Sequence, residues 1–293
     1  MTTSSFPTLL GSYHPTVYHY CNIGAFQSII ENKAIWASDL RSMNDPREVK
    51  NSQPIISSFL SSLEFAEGSN SEEYLRIVEN KLSSYNSFVR FFVASFTHES
   101  DDLYSWVNYA DKGSGFALGI RKSGYDTSRW SDVIYSEAEF RRRIESIWDR
   151  GLKDFSGCAE GQRENEAAYV AIELQQIGAA HKHSSWANEK EARILVPVFA
   201  DAPKNGGFEL GTDETDFLRD QNINFRSTNR GLKPYLEISI VPPSSSEDET
   251  EQILSEIVIG ANNTTEREVV EAFLAMNGFK DVKVTKSECE FVM

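Results

Sequence analysis

A chain of 293 residues with 40% hydrophobic and 25% charged side chains has the composition of a globular protein and excludes an extended disordered one. Its 44 acidic residues outweigh 29 basic ones, and the formal charge of -15 disfavours nucleic acid as a partner, because affinity for phosphates rests on Lys and Arg. The cysteines Cys21, Cys158 and Cys289 form no CxxC and no dense disulfide framework, and no apolar run reaches the ~20 residues of a membrane span.

Residues 1–15 read as a loose N-terminal segment, Ser/Thr-rich and without the basic and apolar regions of a signal peptide, so a cytoplasmic protein without a membrane partner is expected. Val17–Cys21 has strand character, and Asn22 is placed to cap a helix over Ala25–Asn32. Ala34–Ala37 is a second short strand, and Ser42 to Pro46 is turn chemistry. Two helices fill Arg47–Tyr85, divided at Glu67 to Asn70. Phe88–Thr97 is rich enough in β-branched and aromatic residues to be a strand.

Leu103–Ala110 carries Leu103, Trp106, Val107 and Ala110 on one helical face. Gly115–Ile120 and Asp132–Tyr135 are further strands, and Ala138–Gly151 and Arg163–Ala180 are helices, the first bearing a basic patch at Arg141, Arg142 and Arg143. A strand over Glu189–Val198 is followed by a Gly/Asp-rich loop, Asp201–Asp216. Strands at Tyr235–Val241 and Glu256–Ile259, a helix at Thr265–Asn277 and a strand at Val282–Thr285 complete the chain, with residues 242–251 a polar connector. The interleaving lacks the regular alternation of a doubly wound sheet. We expect an α+β fold: one large domain over residues 16–293, with a mixed or split sheet and flanking helices.

The glycines of Lys112 to Gly119 superficially resemble a phosphate loop, but they follow a helix and open a strand, the reverse of a dinucleotide fingerprint. His181-Lys182-His183 has no third metal ligand at a recognised spacing and reads as a polar loop, so no metal site is assigned. From Glu191 onward the pattern alternates with period two. Ala192, Ile194, Val196 and Val198 point to one face, and Glu189, Glu191 and Arg193 to the other. That charged face is either an exposed edge blunted by charge or a catalytic carboxylate strand facing a cleft. His19 sits mid-strand with Val17 and Cys21 on its side, and Tyr18 and Tyr20 on the other. Ser95 and Thr97 share a face of their strand. Trp106 is either a core residue or a ring that stacks on a ligand.

Several separate motifs in order carry a resemblance. They are Tyr18-His19-Tyr20, Met43-Asn44-Asp45-Pro46 with Glu48, Ser95-Phe96-Thr97, and Trp106 to Ala110 with Gly113 and Gly115. Trp186 to Arg193 and Glu256 to Gly260 complete the set. Over nearly its whole length the chain resembles the bacterial family known as domain of unknown function 2971. Its layout is also similar to that of the DarT-type ADP-ribosyltransferases, with a histidine on the first strand and a catalytic glutamate on a late one. That second resemblance implies an ADP-ribosyltransferase-like fold and NAD as co-substrate. It makes Glu191 the catalytic carboxylate, with Glu189 beside it. His19, Tyr20, Asn44, Ser95, Thr97 and Trp106 are then the nucleotide-binding residues.

The expected activity is cleavage of NAD at the nicotinamide–ribose bond, in a bacterial conflict or phage-defence setting. A non-enzymatic nucleotide sensor with a protein partner is the second expectation. A carboxylate-metal hydrolase or nuclease built on Asp45, Glu48, Glu189 and Glu191 is the third.

Overall fold

A computed structural model describes residues 15–43, 48–125, 129–200, 208–210, 218, 222–228, 231–241 and 252–289. The N-terminal residues 1–14, Asn44, Asp45 and Pro46, most of the Asp201–Asp216 loop and the 242–251 connector lie outside them. The elements in chain order are β1 Thr16–Cys21, α1 Ile23–Asn32, β2 Ala34–Asp39, α2 Glu48–Ser61, α3 Asn70–Phe88 and β3 Val89–Thr97. There follow α4 Leu103–Tyr109, β4 Phe116–Arg121, β5 Trp130–Asp132, α5 Glu137–Gly157, α6 Arg163–Ala179 and β6 Glu191–Ala200. The chain continues with β7 Phe208–Leu210, β8 Asn224–Thr228, β9 Gly231–Ser239, β10 Leu254–Ile259, α7 Arg267–Met276 and β11 Lys283–Lys286.

All the described strands belong to one mixed sheet, so the fold is α+β with flanking helices. Its path runs β11-β10-β4-β1-β3-β2-β9-β8, and among the ladders of the described residues only β10 and β11 are parallel. The split lies at β3. One edge of β3 pairs with β6 along its whole length, from Val89 opposite Phe199 to Thr97 opposite Glu191. The other edge is shared: β1 meets it at Thr97 and β2 at Phe92 and Val93.

Alternation along these strands separates two cores. Ala192, Ile194, Val196 and Val198 of β6 join Phe92, Ala94 and Phe96 of β3 in the main core, under Phe26, Ile29 and Ile30 of α1 and Val270 and Leu274 of α7. On the opposite face, Val93 and Leu195 pack on Ala179 and Ala180 at the end of α6. Beyond them α2, α3, α5 and α6 share a helical core around Tyr74, Phe140, Trp148 and Phe155. Asn22 caps α1 as its side chain accepts from the Ala25 amide at 2.8 Å.

The structure corrects or sharpens the sequence reading in several places. β6 is an interior strand, flanked by β3 on one edge and by β5 and β7 on the other, so its charged face is no blunted edge. The strand expected at Asp132–Tyr135 forms at Trp130–Asp132 instead, because that is where pairing with Ala192–Ile194 is available. Helix α5 runs past Gly151 to Gly157, since its buried stripe of Phe140, Ile144, Ile147, Trp148 and Gly151 continues to Phe155. Its basic patch is largely neutralised at i,i+4, Arg141 by Glu137 and Arg143 by Glu139, each at 2.9 Å. The glycines of the 113–115 turn serve close packing: a Cβ on Gly115 would lie 2.1 Å from the Cys21 carbonyl oxygen, and Gly113 adopts φ +82°.

Candidate functional site

Because partners in an antiparallel ladder share a face, the register fixes a row of side chains across three strands: Tyr18 on β1, Thr97 on β3 and Glu191 on β6. The next row is Ser95, Arg193 and Ser131. Above these rows lies a cavity of about 450 Å³, within the range of small-molecule sites. Its walls include Tyr18, His19, Tyr20, Ser95 and Thr97 from the sheet. Tyr104 and Tyr109 of α4 close one side, and Lys182, Trp186, Glu189 and Glu191 another. A separate hollow beside Gln53, Asn86 and Gln175 measures only about 80 Å³, too small for a ligand of that size.

The charged base of the cavity is a four-residue network. Lys182 Nζ donates to Glu189 Oε2 at 2.5 Å and to Glu191 Oε2 at 2.8 Å. Arg193 grips Glu191 with two donors, Nε to Oε1 at 2.8 Å and Nη2 to Oε2 at 3.0 Å, and sends Nη1 to the Ala179 carbonyl at 2.7 Å. Tyr109 donates its hydroxyl to Glu189 Oε1. Lys182, Glu189 and Glu191 are buried and Arg193 is fully so. The backbone of Glu191 is held as well: its N–H donates to Tyr135 Oη at 3.0 Å, and its carbonyl accepts from Val133 N at 2.9 Å.

Glu189 and Glu191 reach Lys182 by different routes. Glu189 is not in the strand. It ends a 3-10 turn over Ser184–Glu189, and Lys190 then takes a left-handed conformation (φ 46°) before β6 begins. The two carboxylates converge because the turn folds back, not because they share a strand face.

Their titration diverges. Burial opposes ionisation of Glu191, but the charges of Arg193 and Lys182 and their hydrogen bonds overcome it and hold its pKa down to about 2. For Glu189 burial wins, aided by the charge of Glu191, and its pKa is raised despite the bonds from Lys182 and Tyr109. Unfolded glutamates titrate near 4.3. As the pH falls, the unfolded chain therefore takes up the Glu191 proton first. The stability that Glu191 contributes is present above about pH 4.3 and lost as the pH drops toward about 2. Denaturation followed across that window should show a shallower loss for Glu191→Gln than for wild type. Parallel curves would remove Glu191 from the acid response.

The sheet residues have distinct surroundings. His19 Nδ1 lies 3.0 Å from the Ser95 carbonyl, and its ring meets Phe96 edge-on at 5.8 Å. A carbonyl only accepts, so Nδ1 carries the proton and Nε2 is left as an acceptor; burial lowers the His19 pKa and keeps the ring neutral. Ser95 Oγ is buried with no hydrogen-bond partner among the described residues. Thr97 Oγ1 accepts from the Glu99 amide at 3.4 Å. Tyr20 staples the following loop, donating to the Glu99 carbonyl and accepting from the Asp102 amide, both at 3.0 Å.

Helix α4 is held from both ends of that loop. Asp102 caps it through the Ser105 amide at 2.8 Å, and Asp101 receives Trp106 Nε1 and Ser287 Oγ, each at 2.6 Å. Trp106 is fully buried and edge-on to Tyr20 at 4.7 Å, in a small core with Ala110, Ala117 and Val258. It stands behind the cavity wall, not in it, so of its two sequence readings the core one holds.

The structure thus brings His19, Tyr20, Ser95, Thr97, Glu189 and Glu191 to one cavity, sets Trp106 behind it, and leaves Asn44 outside the described residues. The sequence reading missed Lys182, Tyr104, Tyr109 and Trp186. Tyr109 and Trp186 belong to the quoted motifs, which was a usable signal. Lys182 offered none, since a lysine between two histidines has the look of a polar loop. Among the described residues no group of three or more His, Cys, Asp or Glu is arranged to hold a metal ion. No helix described is long and apolar enough to cross a membrane.

The chain matches no curated protein and no solved structure. Residues 105–194, which span most of α4 and the whole Lys182–Arg193 network, match the family model described as Protein of unknown function (DUF2971).

Proposed function

We propose that the cavity binds NAD and cleaves its nicotinamide–ribose bond, passing ADP-ribose to water or to an acceptor. The observation that carries this reading is an ionised carboxylate, Glu191, fixed through both oxygens at the base of an aromatic-lined cavity. When the C–N bond breaks, its electron pair leaves with nicotinamide and positive charge develops on the ribose. A preorganised carboxylate stabilises that charge in the transition state more than in the ground state. The Ser95 Oγ, unpartnered among the described residues, and the acceptor nitrogen Nε2 of His19 are suited to ribose hydroxyls.

A second reading, a nucleotide sensor that binds without turnover, is favoured by the same network, because Arg193 and Lys182 already occupy both Glu191 oxygens. A carboxylate-metal hydrolase fits less well: a divalent cation would have to displace Lys182 from both glutamates.

Incubation with labelled NAD, with and without cell lysate, separates the three. Release of nicotinamide should occur in wild type and fall by roughly 10²–10³-fold in Glu191→Gln, the scale of losing one preorganised electrostatic group. Binding without release would favour the sensor. Release abolished by EDTA would favour the metal enzyme.

A further inference from the structure

We propose that the smaller hollow, enclosed by β3, α2, α3 and α6, binds a short-chain monocarboxylate, with Arg41 holding the carboxylate and an apolar floor holding the tail. The site is separate from the NAD cavity and does not depend on the reaction proposed for it.

Charge is the first ground. Arg41 lies in the 3-10 turn Leu40–Ser42 that follows β2. Its Nη2 donates to the carbonyls of Asn86 and Val89, at 3.0 and 3.1 Å, where α3 ends. Nε and Nη1 have no acceptor among the described residues, and no described carboxylate forms an ion pair with the guanidinium. Asp39 is committed elsewhere. Its Oδ2 pairs with Arg90 Nη1 at 2.8 Å, and its Oδ1 accepts from the Arg41 backbone amide at 3.0 Å. Arg41 and Arg90 are the charged side chains in the described lining, so two guanidiniums stand against one carboxylate and a positive charge is left over. Burial and then the charge of Arg90 lower the Arg41 pKa, and Asp39 offsets them only in part. An anion beside Nε or Nη1 supplies the missing countercharge through a charge-assisted hydrogen bond.

Shape and polarity are the second ground. The floor is apolar: Leu40, Ile56, Val89, Phe91 and Ala179 line the hollow and are all buried. The rim is polar, with Arg41, Gln53, Ser57 and Asn86 exposed. That gradient suits a ligand that enters tail first and leaves its charged head at the mouth. The volume of about 80 Å³ is the liquid share of two to three waters at ~30 Å³ each, which admits an acid of about two to four carbons. An inorganic oxyanion would leave the apolar floor unfilled. The hollow also abuts the charge network of the larger cavity, because Ala179 lines it and the Ala179 carbonyl receives Arg193 Nη1 at 2.7 Å.

The test is a titration of the full-length, methyl-labelled protein with butyrate, acetate and butyramide, followed by NMR at the methyl groups of Leu40, Ile56 and Val89. Butyrate is expected to shift these signals saturably. Each buried methylene is worth roughly fourfold in affinity, so acetate should bind about tenfold more weakly. Butyramide, equal in shape but neutral, should also bind about tenfold more weakly, on the scale of one hydrogen bond between charged partners. Arg41→Gln keeps an amide donor but no charge, and should erase the preference for butyrate over butyramide. Its folding is checked by circular dichroism; if it does not fold, the ranking of the three probes on wild type decides alone. Butyramide or acetate binding as tightly as butyrate would overturn the inference. So would an undiminished preference in folded Arg41→Gln, the absence of any shift, or shifts confined to the Met43 methyl in the wall of the larger cavity.

Discussion

Replacing Arg193 with methionine is expected to destabilise the protein by about 3–5 kcal/mol, the cost of removing one partner from a buried ion pair. Arg193 is fully buried, and its guanidinium holds Glu191 through two bonds while a third donor serves the Ala179 carbonyl. Methionine fills similar volume but leaves the Glu191 carboxylate with Lys182 as its one remaining described cation, and it strips the Ala179 oxygen of that donor. The double variant Glu191→Gln/Arg193→Met should recover part of the loss, because no carboxylate is then left facing a missing guanidinium. Urea denaturation of the two single variants and the double variant gives the coupling directly. Additive losses would mean that the pair acts as two independent residues, contrary to its geometry.

Trp106→Ala is expected to cost a similar amount, about 3–5 kcal/mol, as large-to-small changes in a packed core do. The indole has no exposed surface, meets Tyr20 edge-on and donates from Nε1 to Asp101. Removing it opens a void behind α4 and loosens the loop that Tyr20, Asp101 and Asp102 hold together. Affinity for any ligand touching Tyr104 and Tyr109 should fall as a secondary effect. Trp106→Phe, which keeps a smaller aromatic ring but loses the N–H and part of the packed volume, should cost less than Trp106→Ala, roughly 2–3 kcal/mol. An unchanged melting temperature in Trp106→Ala would remove Trp106 from the core.

The sequence by itself determined the elements whose pattern is local. The alternation of Ala192, Ile194, Val196 and Val198 and the Asn22 cap each record short-range rules of burial and capping, and each has its counterpart in the structure, whereas of the expected helical face at 103–110 only Trp106 and Ala110 are buried and Leu103 is half exposed. Two of the quoted motifs, Trp106–Ala110 and Trp186–Arg193, fall within the residues that match a family model. Short strands such as β7 and β8 escaped because their pairing is their main support, and pairing is not written in a five-residue pattern.

Tertiary structure decided the site. Alternation placed Glu191 and Arg193 on one face but could not say whether water, a helix or a cavity lies against it. That depended on α6 ending at Ala179 and delivering Lys182 beneath two carboxylates. Nor could alternation reveal that Glu189 leaves the strand, since the left-handed Lys190 that separates it from Glu191 is stabilised by the turn and not by its own residue type. Local sequence codes for periodicity and caps. The meeting of polar groups distant along the chain, such as Tyr109 with Glu189, exists only once long-range pairing has fixed where the strands and helices stand.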